Sequence, residues 1–261
     1  MTMNDVSYFL RKVRRECLFL LGLLFGSRDY ARVVIVTRSR SGSNMLCSFL
    51  ESHPQAFVWR EVFRRPQYFT PGLTNRLINL RYLNRFRVVV FKVFYYHQVP
   101  EGFWQQLIAD ERTRIIHLIR TNYLDTYVSR RQAMESRRWE SFGRDGAGTT
   151  EGPPVQVEIA DMMDFLEANE GFINSFAGKT SGRKNLLTLT FDQMAGDEGR
   201  ALIAAFLQDR LDPGAFGAAR NARQGSSSLE TRIANFGEVK RALLASKWRY
   251  LLDSPIEQRP G

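Results

Sequence analysis

Short apolar runs alternate along the chain with stretches in which apolar residues recur every three or four positions. Four runs rich in β-branched residues predict strands, at 31–37, 87–94, 114–119 and 185–190. Short continuous runs of this kind are typical of parallel strands with both faces buried. Six segments with helical spacing predict helices, at 44–51, 101–110, 122–138, 158–176, 197–208 and 235–251. The alternation predicts an α/β fold with a central parallel sheet flanked by helices.

Two regions fall outside this pattern. Several glycines and prolines without apolar periodicity predict a flexible loop or lid at 141–157. At the other end of the chain, Arg11, Lys12, Arg14 and Arg15 precede a nine-residue apolar run at 17–25. This run is shorter than the roughly 20 residues that span a bilayer. We therefore predict a basic and apolar helix within 1–30 and one domain over 31–261. Packing on that domain, contact with a membrane surface and a targeting signal all remain open for the helix.

The segment between the first strand and the first helix is a candidate anion-binding loop. It reads Arg38-Ser39-Arg40-Ser41-Gly42-Ser43-Asn44. Gly42 lets the backbone approach an anion, and the N-terminus of the following helix directs N–H groups and a positive dipole end to the same place. Ser41 and Ser43 supply hydroxyls and Arg40 a fixed charge. The pattern lacks the lysine of a Walker A motif, and simple helix capping by serine and glycine is the alternative.

The charge balance also favours an anionic ligand. The net charge is +10, and only six of the 37 basic residues are lysines. Arginine grips phosphate and sulfate with two parallel hydrogen bonds, which lysine does not reproduce. The arginines are scattered and no nucleic-acid recognition motif is present, so we predict no nucleic-acid partner. Cys17 and Cys47 form neither a disulfide framework nor a zinc motif, so we predict a reduced, cytoplasmic compartment and no metal.

The stretch from Val33 to Phe63 resembles a known family. It contains R-S-G-S-N-M-L at 40–46, S-H-P at 52–54 and R-E-V-F at 60–63. These motifs resemble the sulfotransferases that use 3′-phosphoadenosine-5′-phosphosulfate (PAPS), and most of all bacterial carbohydrate sulfotransferases of the nodulation-factor and sulfolipid type. The resemblance implies a P-loop-NTPase-like three-layer fold. It also implies that the loop holds the 5′-phosphosulfate, through Arg38, Arg40, Ser41, Gly42, Ser43 and Asn44, with Arg40 where cytosolic members carry lysine.

A second stretch, IIHLIRTNYLDTYVS at 115–129, resembles the family's 3′-phosphate-binding segment. The resemblance implies that Arg120 and Ser129 hold the 3′-phosphate, although their spacing of nine is one longer than in cytosolic members. Phe191-Asp192-Gln193-Met194 resembles the family's aromatic-acid-x-Leu element. The run from Arg223 to Ser228 matches the late basic loop that closes over the nucleotide, with Arg223 and Gly225 as candidate contacts.

Sulfuryl transfer needs a base for the acceptor hydroxyl and cations for the charge that develops on the sulfuryl oxygens. Glu61, in R-E-V-F, is the first candidate base, and an ion pair with Arg60, Arg64 or Arg65 is its alternative role. His97 is the second candidate, but it follows Lys92 by five residues, whereas family members place the histidine two residues after the strand lysine. His53 is a weaker candidate that more simply ends a helix and shapes the next turn.

Further basic and aromatic residues have two readings each. Lys92 lies in an apolar strand, where an unpaired ammonium is costly; it either faces the transferring sulfuryl group or forms a buried ion pair. Arg38 and Arg40 share the charge role. A basic helix face is either solvated or lines a groove for an acidic acceptor; it comprises Arg130, Arg131, Arg137 and Arg138. Four aromatic side chains stack on sugars or belong to the core: Trp59, Trp104, Trp139 and Tyr95.

Together these features predict an enzyme that transfers the sulfuryl group of PAPS to a hydroxyl of a carbohydrate or glycolipid by in-line displacement. Two alternatives remain open. One is a kinase or NTPase of P-loop type, and the other is a non-enzymatic basic module that docks on a membrane. We place the protein in the cytoplasm, with peripheral contact at the inner membrane surface through residues 1–26 as a further possibility.

Overall fold

A computed structural model describes residues 13, 17–61, 63, 80–136, 153–217 and 228–253. Five strands form one parallel sheet: β1 (Ala31–Thr37), β2 (Ala56–Glu61), β3 (Val88–Phe94), β4 (Thr113–Ile119) and β5 (Leu186–Thr190). Their order is β2-β3-β1-β4-β5, and all four neighbouring pairs are parallel. The α/β class with a central parallel sheet is thereby confirmed, and the four predicted strands lie within one residue of their expected bounds.

Helices precede, connect and follow the strands. They are α1 (Ser43–Ser52), α2 (Phe103–Ala109), α3 (Tyr123–Ser136), α4 (Ile159–Thr180), α5 (Phe191–Ala195), α6 (Asp197–Leu207), α7 (Leu229–Arg232), α8 (Phe236–Leu244) and α9 (Tyr250–Asp253). The helix predicted at 235–251 is interrupted. Its C-terminal part is a 3₁₀ turn at Lys247–Arg249 followed by α9, because the Ser246 hydroxyl accepts a hydrogen bond from the Trp248 N–H and starts a new turn.

The core lies on both faces of the sheet. Successive side chains of a strand point to opposite faces, and β1 shows this directly. Val33 and Ile35 pack in one cluster with residues of α1 and α6, whereas Val34 and Val36 pack on the other face in a cluster that contains Phe176 of α4. The helices therefore cover both faces, which makes three layers and explains the continuous apolar runs in the sequence.

The edge strand β2 escaped prediction from the sequence. Its first three residues are buried, but Trp59, Arg60 and Glu61 are only half-buried. An edge strand with a polar second half lacks the continuous apolar pattern of the inner strands. In the turn before β2, His53 ends α1 as its C-cap, as the sequence predicted. Its Nδ1 accepts a hydrogen bond from the Gln55 N–H and so shapes the turn.

Residues 17–25 are helical. Leu18 and Phe19 pack against the core. The helix ends where the chain passes close to the backbone of Tyr82, in the segment before β3. A Cβ at Gly26 would lie 2.1 Å from the Tyr82 carbonyl oxygen, which only glycine avoids. Within the described ranges, no helix has the length and hydropathy needed to cross a membrane.

Parts of several predictions lie outside the described residues. They are the loop at 141–152 and the residues Arg11, Lys12, Arg14, Arg15, Arg64, Arg65, Arg137, Arg138, Trp139, Arg223 and Gly225. The structure describes residues 153–157 of the predicted loop. This part is anchored, because Val155 is buried and forms a parallel bridge with Ile233.

Candidate active site

The strand order places a crevice at the carboxyl ends of β1 and β4. The chain leaves β1 towards β3 and β2 on one side, while β4 and β5 extend the sheet on the other. Ligands of open α/β sheets bind outside the carboxyl ends of the strands at such a switch point. A cleft lies here, lined among others by Arg38 and Ser41 of the loop, Arg120 after β4 and Asn169 of α4.

Ser41 fastens the loop to the sheet. Its side chain is buried, its Oγ donates to the Arg38 carbonyl at 2.7 Å, and it lies 2.6 Å from the Thr37 Oγ1. Thr37 in turn donates to the Leu118 carbonyl of β4 at 2.6 Å. The Ser41 hydroxyl thus forms hydrogen bonds to the Arg38 carbonyl and to Thr37. The sequence had suggested that this hydroxyl contacts the anion.

Gly42 is the N-cap of α1 and has a φ of 83°. Two constraints require glycine here: the left-handed backbone and the close approach of the Phe191 ring. A Cβ would lie 2.3 Å from Cδ2 of Phe191, so the aromatic of the predicted aromatic-acid-x-Leu element supports the loop. No side chain of the described residues caps α1. The first backbone N–H groups of α1 therefore keep their capacity to donate, at the positive end of the helix dipole.

Arg40 also has a positive φ, 67°, unlike every other non-glycine residue in the described ranges. This backbone costs about 1–2 kcal/mol for a residue with a Cβ. It directs the guanidinium towards α3, where Nε donates to the Ser129 Oγ at 2.9 Å. The Arg40 carbonyl accepts from Arg120 Nη1 at 2.9 Å. The structure therefore brings Arg40 to the two residues expected at the 3′-phosphate.

Two more residues complete this group, which we call the arginine cluster: Arg40, Arg120, Arg232, Asp125 and Ser129. Asp125 forms ion pairs with Arg120 on one oxygen and with Arg232 on the other. Asp125 lies in the segment that the sequence singled out. Arg232 does not, and no motif marks it; it reaches the cluster because α7 packs beside α3.

The arginine cluster is positively charged. Three guanidinium groups share one carboxylate within it. Burial and repulsion by Arg120 and Arg232 lower the pKa of Arg40 to about 10, which leaves it protonated at neutral pH. Guanidinium groups crowded in this way are stabilised by a ligand with more than one negative charge.

A second group lies on the other side of the loop. Lys92 of β3 is only 1% exposed. Its Nζ donates to the Asn44 Oδ1 at 2.7 Å and lies 3.1 Å from the Glu61 Oε1. Glu61 and Lys92 are partners in the β2–β3 register. The three residues thus meet at the N-terminus of α1, and the Glu61 side chain is 21% exposed.

Glu61 forms an ion pair with Lys92, a partner that the sequence did not suggest for it. Arg60 pairs with Glu51 of α1 at 2.9 Å, and Arg64 and Arg65 lie outside the described residues. For Lys92, the structure shows the buried ion pair, near the end of β3 beside the loop.

His97 is held as a hydrogen-bond acceptor. Its Nδ1 accepts from the Phe94 N–H at 3.1 Å, so the neutral ring carries its proton on Nε2. Burial lowers the pKa of His97 to about 4, with Lys92 acting in the same direction and Glu61 opposing it. At neutral pH the ring therefore has no free basic nitrogen. This geometry favours Glu61 over His97 as the base.

The described aromatic candidates pack against other side chains, although Tyr95 also lines the cleft. Trp59 and Trp104 pack against the core, and Trp59 donates to the Tyr82 hydroxyl at 2.6 Å. Tyr95 stacks on Phe172. Among the described side chains, no three His, Cys, Asp or Glu residues are grouped as metal ligands.

No protein-family model matches the chain, and no curated protein matches it. Solved structures that resemble it include a sulfotransferase from Alicyclobacillus acidocaldarius, with 15% identity, a TM-score of 0.44 and coverage of 85% of this chain and 96% of that one. Mouse sulfotransferase SULT7A1 in complex with PAP has 14% identity, a TM-score of 0.45 and coverage of 92% and 94%. The sulfotransferase domain of the Synechococcus PCC 7002 olefin synthase has 16% identity, a TM-score of 0.41 and coverage of 90% of both chains. All three identities are at most 16% and all three TM-scores at most 0.45.

Proposed function

We propose that this chain is a sulfotransferase that transfers the sulfuryl group of PAPS to an acceptor hydroxyl. The observation that carries the proposal is the pair of cationic groups on either side of one glycine-containing loop. The arginine cluster lies on the β4 side and Lys92 on the β3 side, with β1 between them. Two strand spacings separate them by about 10 Å. A nucleotide with one anionic group on each side of its ribose suits this arrangement.

Each group has a role in the proposed binding mode. The arginine cluster receives the 3′-phosphate, where Arg120, Arg40 and Ser129 provide donors. The N-terminus of α1 receives the 5′-phosphosulfate, through backbone N–H groups of Gly42, Ser43 and Asn44. Both sites use charge-assisted hydrogen bonds in a partly buried cleft, where such bonds are strong.

The chemistry follows from the second group. Glu61 accepts the proton of the acceptor hydroxyl. At the same time the hydroxyl oxygen forms a bond to sulfur, and the bond from sulfur to the phosphate oxygen breaks. The departing oxygen keeps the electron pair, so negative charge grows on the nucleotide. Lys92 lies 3.1 Å from Glu61 and stabilises that charge together with the N-terminus of α1. The products are a sulfate ester and adenosine 3′,5′-bisphosphate.

For the acceptor, we propose a carbohydrate or glycolipid hydroxyl. The support is the resemblance of residues 40–63 to bacterial carbohydrate sulfotransferases, together with a carboxylate in the position of the base. Arg223 and Gly225, which lie outside the described residues, remain proposed nucleotide contacts on the same resemblance.

The proposal is tested by calorimetric titration of the full chain with adenosine 3′,5′-bisphosphate, AMP and ATP–Mg²⁺. We expect the bisphosphate to bind about 100-fold more tightly than AMP, because AMP forms none of the charge-assisted hydrogen bonds of the arginine cluster. Tighter binding of ATP–Mg²⁺ would instead indicate a kinase or NTPase. Failure of all three nucleotides to bind would contradict the proposal as a whole.

We further propose that the N-terminal helix contacts an anionic membrane surface. The face of this helix that points away from the domain is apolar, and Leu20, Leu21, Leu24 and Phe25 are exposed. Arg11, Lys12, Arg14 and Arg15 precede it in the sequence. An apolar helix face next to a basic segment is typical of peripheral membrane helices, in which apolar burial and attraction to anionic lipid add up.

Sedimentation with phosphatidylglycerol/phosphatidylcholine vesicles tests this contact. We expect Leu20→Glu to reduce the bound fraction at least fivefold, since it places a charge on the inserted face. Leu244→Glu is the matched control, because Leu244 on α8 and Leu20 are both 57% exposed. Equal loss in both variants, or binding to phosphatidylcholine alone as strong as to the anionic vesicles, would refute the contact.

A further inference from the structure

We propose that Arg38 and Arg130 form a second anion-binding site in the cleft, and that this site takes a carboxylate or phosphate group carried by the acceptor. The inference rests on the proposed function for the identity of the reaction, and it adds the chemical class of the acceptor.

Arg38 is held ready for a ligand. Its guanidinium lies 3.9 Å above the centre of the Phe165 ring, and Nη1 is 3.5 Å from the Oδ1 of Asn169, which is buried. Its Nε is also buried and has no hydrogen-bond partner among the described residues. A buried donor without a partner costs about 1–3 kcal/mol. An anionic ligand that accepts from this nitrogen removes that cost.

Arg130 adds a second charge at the same place. Its guanidinium lies 5.6 Å from the centre of the same Phe165 ring. Burial and repulsion by Arg130 lower the pKa of Arg38 to about 10. No carboxylate of the described residues pairs with either arginine. The neighbouring arginines differ in this respect: Arg131 pairs with Glu135 of its own helix, and Arg120 pairs with Asp125.

The site lies beside the proposed base. Tyr96 hydrogen-bonds Ser39 and interacts electrostatically with Glu61, Arg38 and Arg130. Its ring centre is 5.7 Å from the Arg38 guanidinium. Tyr96 thus lies close enough to the carboxylate and to the two arginines to interact with all three charges. An acceptor that presents its hydroxyl to Glu61 across Tyr96 extends towards Arg38 and Arg130, which fit a planar or tetrahedral anion.

The two arginines of the loop point in different directions. Arg38 points towards Phe165 and Asn169 of α4, whereas Arg40, two residues later, points towards Ser129 of α3. Alternate residues of one loop therefore supply the two anion sites. The sequence grouped Arg38 with the nucleotide loop, whereas the inferred site places it on the acceptor side.

Calorimetry with matched probes tests the inference. The probes are p-nitrophenyl β-D-glucuronide against the neutral glucoside, and glucose 6-phosphate against glucose, each with and without saturating adenosine 3′,5′-bisphosphate. We expect at least one charged probe to bind tenfold or more tightly than its neutral partner. Which pair shows the preference distinguishes a carboxylate from a phosphate.

Arg130→Ala is expected to abolish that preference and to change the affinity for the bisphosphate less than twofold. Arg131→Ala, one position further along α3, is the matched control and should retain the preference. Equal binding of charged and neutral probes by the unaltered protein would overturn the inference. So would an Arg130→Ala variant that loses bisphosphate affinity, because the pair would then belong to the nucleotide. The bisphosphate titration of the unaltered protein tests the proposed function separately.

Discussion

Replacement of Glu61 with glutamine is expected to lower kcat for sulfuryl transfer by roughly 100- to 10,000-fold, the usual contribution of a general base. Glutamine has nearly the same shape, and its carbonyl oxygen can still accept from Lys92, so the fold and nucleotide binding should persist. The measurement is transfer from radiolabelled PAPS to the p-nitrophenyl glucuronide and glucoside, with bisphosphate affinity determined in parallel.

Two further variants make this result specific. Glu51→Gln removes a carboxylate of α1 that pairs with Arg60 of β2. Since this partly exposed pair has no role in the proposed reaction, the change should alter kcat little. His97→Ala should also be mild, because the His97 Nδ1 already accepts from a backbone N–H. If Glu61→Gln retained full turnover, or if His97→Ala lost as much as Glu61→Gln is expected to lose, the base would not be Glu61.

The second large effect is expected at the arginine cluster. Arg120→Ala should weaken binding of adenosine 3′,5′-bisphosphate about 100-fold and leave AMP binding nearly unchanged. The variant removes a donor to the 3′-phosphate, and charge-assisted hydrogen bonds contribute about 1.5–3 kcal/mol each. The variant also removes the arginine that pairs with one oxygen of Asp125, so the Asp125 carboxylate would repel the 3′-phosphate.

Arg120 also supports the loop through the Arg40 carbonyl, so a loss of structure must be separated from a loss of charge. Arg120→Lys keeps the charge without the two-pronged geometry and should recover only part of the affinity. Arg200→Ala, which removes a surface pair with Asp197 on α6, is the control for a lost arginine elsewhere. An equal loss for AMP and the bisphosphate in Arg120→Ala would refute the assignment of the 3′-phosphate site.

The inner strands could be predicted because their environment is uniform. β1, β3 and β4 have helices or core on both faces, so nearly every residue must be apolar, and that pattern is visible without the fold. β2 was missed because an edge strand is only half covered. The break after α8 was missed because its cause is one hydroxyl, that of Ser246, which starts a new turn inside an apolar periodic segment.

The candidate residues of the site were visible one at a time, as charges or glycines next to strand ends. Their partners were not. Arg40 meets Ser129 across 89 positions, and Arg232 meets Asp125 across 107. The sequence therefore assigned Arg40 to one phosphate and left Arg232 unmarked. In the structure, the left-handed backbone at Arg40 turns its side chain towards Ser129 of α3.

From the sequence follow the α/β class, the glycine-containing loop at the end of a central strand, and the identities of Glu61, Lys92, Arg120 and Ser129 as candidates. Local patterns suffice for these because burial on both strand faces and a tight turn before a helix each dictate residue type. Only the tertiary structure showed which partners the charged residues in and around the loop have. Strand order places β1 between β3 and β4, so Lys92 meets Glu61 on one side and Arg40 meets Ser129 on the other. Those pairings depend on which elements become neighbours, and packing of the whole sheet decides that.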